Sequence, residues 1–166
     1  MNELKRYYKP SDLLIISHLR QDARTTLTNM SRQTRIPVST IFDKIKFFKE
    51  TGLIKKNTSI VSFERFGYNT KAMIFLSASK EERPKLIEIL KTSSNVNSLF
   101  KVGNGWDLIV EVIFPNFKEI EEFLENIEEN VSLKDKEVFY IIEELKREDF
   151  FSNPKQLMQR NELNHS

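Results

Sequence analysis

The sequence predicts an α+β chain in two parts: three helices with two short strands, then a ferredoxin-like βαββαβ unit with an antiparallel sheet. Three observations predict it. Before residue 52 the apolar residues recur at helical spacing. Beyond residue 70, strand-like runs alternate with two amphipathic stretches. The charge divides the same way: residues 1–58 hold 12 Lys/Arg against 5 Asp/Glu, net +7, and residues 59–166 hold 14 against 19, net −5.

The elements follow in order. Ser11 and Asp12 suit a helix start ahead of Leu13, Leu14, Ile15, Ile16 and Leu19, which predicts a first helix over about 11–20. Thr25 or Thr26 caps a second helix through about Thr34. After Arg35-Ile36, Pro37 fits a helix's first turn, and a third helix runs from Val38 to about Thr51. Its Ile41, Ile45 and Phe48 recur at i, i+4 and i+7 on one face, and Gly52 ends it. Leu53 to Phe63 reads as two short strands around a basic turn, which completes a winged helix-turn-helix.

In the second part, Lys71–Ala78 reads as a strand and Lys80–Thr92 as a helix with Leu86, Ile89 and Leu90 inward. Val96–Val102 and Leu108–Phe114 read as strands joined by Gly103-Asn104-Gly105-Trp106-Asp107, where Asn-Gly signals a hairpin. Asn116 caps a helix to about Asn130, with Ile120, Phe123, Leu124 and Ile127 on one face, and Glu137–Leu145 reads as the last strand. The expected domains are 1–63, 64–149 and a polar tail over 150–166.

Composition narrows the function. There is no cysteine, so disulfides, thiolate metal sites and a cysteine nucleophile are excluded, in keeping with a reducing cytoplasm. No apolar run approaches the roughly 20 residues of a membrane helix, and no membrane partner is expected. Met1–Pro10 has no apolar core of a secretion signal. His18 and His165 stand far apart, too isolated for a metal site, and no cofactor is expected. Neither a Ser/His/Asp set, an H-E-x-x-H nor a G-x-x-x-x-G-K stretch appears. Chemistry-bearing residues are thus sparse, and no enzyme is expected.

A basic helical module is the electrostatic footprint of a polyanion binder. In a helix-turn-helix the second helix of the motif enters the major groove of double-stranded DNA. Here that helix offers Val38, Ser39, Thr40, Phe42, Asp43, Lys44, Lys46 and Lys49. Ser39 and Thr40 suit base edges, Val38 and Phe42 a thymine methyl, and Asp43 a cytosine amino group. Lys44, Lys46 and Lys49 suit phosphates, as do Arg32, Arg35 and the wing residues Lys55 and Lys56.

These residues resemble the Lrp/AsnC family of regulators. The family opens with D-x-x-I-L-x-x-L-x-x-D-A-R, and this chain has Asp12, Ile15, Ile16, Leu19 and Asp22-Ala23-Arg24. The following family stretch is matched by Met30-Ser31, Ser39-Thr40-Ile41, Lys44-Ile45, Phe48 and Gly52, and Phe66-Gly67 sits where the family has L-G. Asn104-Gly105-Trp106-Asp107 occupies the family's G-x-x-D turn. Four positions depart: Arg35 stands where the family has Gly, Pro37 where a Ser caps the recognition helix, Lys44 where it has Arg, and Asn104 where the effector turn has Gly.

The resemblance implies a DNA-binding regulator that pairs as a homodimer, assembles further to a tetramer or octamer, and takes an amino acid or similar small-molecule effector at Gly103, Asn104, Gly105 and Asp107. Three readings compete. One is an architectural protein that coats DNA with weak sequence preference. Another is a ligand-binding protein without DNA affinity. The third is a tetrapyrrole decarboxylase of the same layout, which would need histidines in the second domain's sheet, where this chain has none.

Overall fold

The computed structural model describes residues 8–154. Along it run α1 (Pro10–Gln21), α2 (Leu27–Thr34), α3 (Val38–Glu50), a 3-10 turn (Phe63–Phe66), β1 (Thr70–Ala78), α4 (Arg83–Thr92), β2 (Val96–Lys101), β3 (Leu108–Phe114), α5 (Phe117–Asn130) and β4 (Leu133–Tyr140). They form two compact units. Among the described residues, one is 8–59 together with 145–154, and the other is 60–144. These limits lie a few residues before the expected 63/64 and 149/150 boundaries, and the tail's described part, 150–154, belongs to the helical unit. Residues 155–166 of the expected tail lie outside the described residues.

In the helical unit, Ile15, Met30, Ile41 and Phe48 are fully buried, one or two from each helix, with Leu19, Leu27, Ile36, Ile45 and Ile54 packed around them. The predicted apolar face of α3 is therefore the packed one. Thr26 caps α2 by accepting the Asn29 N–H at 3.1 Å. The α1 start differs from expectation: Lys9, not Ser11, is the capping position, and Asp12 in the first turn accepts the Lys9 N–H at 2.9 Å. Pro37 is the residue before α3 rather than within its first turn.

The two wing strands are absent: residues 53–62 pair with nothing in a ladder, and the 3-10 turn follows them. A lone hairpin is marginal in water unless one face is covered. Here Leu53, Ile60 and Val61 are exposed and Ile54 alone of the four packs on the core, so no alternating buried face fixes a register.

The other unit is a four-stranded antiparallel sheet in the order β2-β3-β1-β4. On β1 the even-numbered residues Ala72, Ile74, Leu76 and Ala78 are buried. They join Leu108, Val110, Val112 and Phe114 of β3, Leu86 and Leu90 of α4, and Ile120, Leu124 and Ile127 of α5 in one core. Asn116 caps α5, accepting the Glu119 N–H at 3.1 Å. The odd-numbered residues face the opposite side of the sheet. There Phe75 is cross-strand from Ile109, and Met73 from Phe139 and Glu111. Phe75 meets Phe139 edge-on at a centroid distance of 5.3 Å.

The last strand is displaced from the expected Glu137–Leu145 to Leu133–Tyr140. Apolar Ile141, Ile142 and Leu145 suggest a strand, but β1 begins at Thr70, which the register places opposite Ile142, so the ladder with β1 can run no further than that residue. Lys134, Asp135, Lys136 and Glu137 disguise the strand's true start. As β4 is an outer strand, its exposed positions tolerate charge.

Candidate nucleic-acid interface

The outward side of α3 follows from its packing. With Ile41, Ile45 and Phe48 inward, 3.6 residues per turn places Ser39, Asp43 and Lys46 opposite them and Phe42 beside that face. Val38, Ser39, Thr40, Phe42, Asp43, Lys46 and Lys49 are all exposed, Phe42 by 57%. Lys46 lies 3.9 Å from Glu50 one turn on, a loose pair with both ends in solvent, so its ammonium is available to another anion. Arg32, Arg35, Lys55 and Lys56 are exposed in the same unit.

Lys44 is placed differently from the other lysines. It lies next to Ile45 and three residues after Ile41, at the border of the packed face. Its ammonium is 3.1 Å from Asp12 Oδ1 and 3.4 Å from Oδ2, with 32% of the Lys44 side chain exposed but only 2% of Asp12. A buried carboxylate in an apolar unit needs a cation, and Lys44 is that cation. Lys44, a candidate phosphate contact, thus also carries this internal pairing.

Arg35 closes α2 in the left-handed region, φ +58°, with its N–H donated to the Ser31 carbonyl at 2.8 Å. This is a conformation glycine adopts freely and arginine does not. It gives the physical reason a glycine suits this turn.

Gly103, Asn104, Gly105 and Asp107 come together in the sheet unit, in the loop between β2 and β3. Asn104 and Gly105 hold φ of +65° and +100° and are exposed. Asp107 is engaged within the unit. Its Oδ2 accepts the Ala78 N–H at 3.0 Å and its Oδ1 meets Arg83 at 2.6 Å. The Ala78 N–H and the Arg83 charge hold its carboxyl below the usual range. Trp106 stands edge-on to Phe75 at 5.8 Å. Arg83 escaped the sequence reading, since nothing in the mixed-charge stretch Lys80-Glu81-Glu82-Arg83 marks this arginine as the partner of a distant aspartate.

Among the described residues no cluster of His, Asp or Glu could hold a metal ion, and no helix is long and apolar enough to cross a membrane. His18 is buried within the helical unit at 8% exposure, and His165 lies outside the described residues.

Comparison with known proteins fits this geometry. Residues 9–55 match the family described as winged helix-turn-helix DNA-binding. An HTH-type transcriptional regulator of Pyrococcus furiosus is 33% identical over 148 residues, covering 83% of this chain and 90% of that protein. The HTH-type transcriptional regulator FL11 of the same organism is 28% identical over 116 residues, covering 70% and 77%. Among solved structures, a Neisseria meningitidis transcriptional regulator in complex with L-Met superposes with a TM-score of 0.78 at 17% identity, covering 84% of this chain and 93% of that one. AsnC of E. coli gives 0.75 at 18% identity, covering 84% and 95%. With its three helices, its βαββαβ sheet and a third of its residues shared across nine-tenths of such a regulator, this chain belongs to the HTH-type transcriptional regulators and has the fold of the solved AsnC structure.

Proposed function

We propose that this regulator binds double-stranded DNA sequence-specifically as a cytoplasmic homodimer, with α3 in the major groove. The observation that carries the reading is the exposed side of α3, where Ser39, Thr40, Phe42 and Asp43 stand free of the unit's core alongside exposed Lys46 and Lys49. Hydroxyls suit base edges, Val38 and Phe42 suit thymine methyls, and Asp43 suits a cytosine amino group. Lys46, Lys49, Arg32, Arg35, Lys55 and Lys56 supply phosphate contacts that set register. Lys44, partly exposed, adds to them while pairing with Asp12.

One helix reads few base pairs, and a two-fold dimer doubles the site into a pseudo-palindrome. The sheet face opposite the helices supports the pairing: half-buried Met73, Phe75 and Ile109 and exposed Phe139 lie together there, around Glu111. Further assembly to a tetramer or octamer follows the family pattern. The loop holding Gly103, Asn104 and Gly105 is the proposed place for an amino-acid-sized effector, supported by the related Neisseria regulator's complex with L-Met. Since Asp107 is held by Arg83 and the Ala78 N–H, it shapes that loop from within.

Fluorescence anisotropy tests this directly. DNA upstream of the protein's own gene is titrated against shuffled DNA at several salt concentrations. Preference for the upstream sequence by about a thousandfold, with a steep salt slope, supports a specific regulator. Equal, salt-sensitive binding to both supports an architectural role, and no binding at low salt refutes the reading.

A further inference from the structure

Asp107 is the acid that the loop between β2 and β3 has to offer a ligand, and its carboxylate is already committed. Its Oδ2 accepts the Ala78 N–H at 3.0 Å and the Ser77 hydroxyl at 3.4 Å, and its Oδ1 meets Arg83 Nη2 at 2.6 Å. The end of β1 and the first residue of α4 thus hold one carboxylate between them, and the charge of Asp107 is balanced within the sheet unit.

Arg83 is not used up by this contact. A guanidinium carries five N–H donors in a rigid fork. Asp107 takes Nη2, while Nε is buried and has no hydrogen-bond partner among the described residues. A buried N–H without an acceptor is costly, more so on a charged group. The Arg83 side chain is still 29% exposed, so part of the fork reaches solvent. Exposed Lys101 ends β2 where the loop begins. The loop also leaves room, since a methyl group at Gly103 or Gly105 would meet nothing within 4 Å.

The hydrogen-bonding capacity left over here is therefore that of a cation. A free α-amino acid brings a carboxylate and an ammonium. The carboxylate suits the guanidinium in a charge-assisted contact. The ammonium has to share Asp107 with Arg83 and lies near a like charge, which opposes it.

We infer that Arg83 is the specificity-determining residue of this loop, and that the effector is an organic acid of amino-acid size held by its carboxylate, with no ammonium required. The 2-oxo acid that corresponds to an amino acid fits, and an amine does not. This rests on the proposed effector reading of the loop and adds the ligand class to it.

Calorimetric titration of the full-length protein tests it with matched probes on the methionine, leucine and phenylalanine side chains. Each set holds the L-amino acid, its 2-oxo acid and its amino alcohol, which keeps the ammonium and lacks the carboxylate. In at least one set the 2-oxo acid should bind as tightly as the amino acid or more so, and the amino alcohol about tenfold more weakly or worse. Arg83→Gln should weaken the acid by about tenfold or more. Arg83→Lys, which keeps the pair with Asp107 and loses the fork, should weaken it by a smaller factor and keeps the test readable where the Gln variant unfolds. Thermal unfolding identifies which variants are folded. An amino acid that binds tenfold tighter than its 2-oxo acid, or an amino alcohol that matches the acid, overturns the inference and leaves the effector reading standing. Acid binding unchanged in every folded Arg83 variant overturns the role of Arg83. Binding of no probe in any set overturns the effector reading and the inference with it.

Discussion

Asp12 and Lys44 join the first helix to the third: a carboxylate 2% exposed on α1, already receiving the Lys9 N–H, meets the α3 ammonium at 3.1 Å. The pair fixes the pose of the helix that carries the candidate DNA-contacting residues, without itself standing on that helix's outward side.

This separates two lysines two residues apart. Lys44→Ala leaves the Asp12 carboxylate buried without its cation and should cost about 1–2 kcal/mol of stability, reduced from the fully buried case because Lys44 is partly solvated. Lys46→Ala should leave stability within about 0.5 kcal/mol but weaken binding to all DNA and lower the salt slope by about one. Urea unfolding and anisotropy on the two variants check both halves. Equal stability loss in the two would contradict the pairing.

Arg35→Gly relieves the left-handed turn after α2. Stability should rise by up to about 1 kcal/mol, the released strain being partly offset by the entropy glycine loses on folding. If Arg35 contacts phosphate, the same variant should bind DNA more weakly. A more stable, weaker-binding protein would identify an arginine kept at a conformational cost.

His18 gives a pH dependence. Burial lowers its pKa in the folded chain, while the unfolded value is about 6.5. The unfolded chain therefore takes up a proton before the folded one does. Stability is fully present above about pH 6.5 and falls as pH drops from there towards the lowered folded value. Urea midpoints at pH 7.5 and pH 5.5 should differ in wild type, and His18→Phe should narrow the difference. A midpoint that rises on acidification over this range would refute the assignment.

Asp107→Ala removes the acceptor of the Ala78 N–H and the partner of Arg83. The sheet unit should lose about 1–3 kcal/mol of stability with no ligand present. Thermal unfolding of the ligand-free protein checks this, and an unchanged midpoint would mean the carboxylate is free to serve an effector.

What could be read from the sequence was local. Thr26 and Asn116 are polar residues ahead of apolar periodicity, and both cap as expected. The periodicity of α3 named its buried face, Ile41, Ile45 and Phe48. What escaped depends on partners distant in the chain. Nothing near Lys44 announces Asp12, although its place between Ile41 and Ile45 does mark it as a border residue. The end of β4 is set by the length of β1 and not by its own apolar residues. The wing strands failed for lack of a face to bury, and the contacts of Arg20 with Glu148 and Phe150 join residues 128 and 130 positions apart.

The charges of β4 have a consequence beyond this single chain. An outer strand leaves a row of unused N–H and C=O groups that can template another strand. Lys134, Asp135, Lys136 and Glu137 line that row with alternating signs. Another copy sliding alongside would meet like charges in many registers, so growth of sheets end over end into fibrils is discouraged. The proposed two-fold pairing through the other side of the sheet is then the contact that closes on itself, so copies gather into finite particles and not filaments.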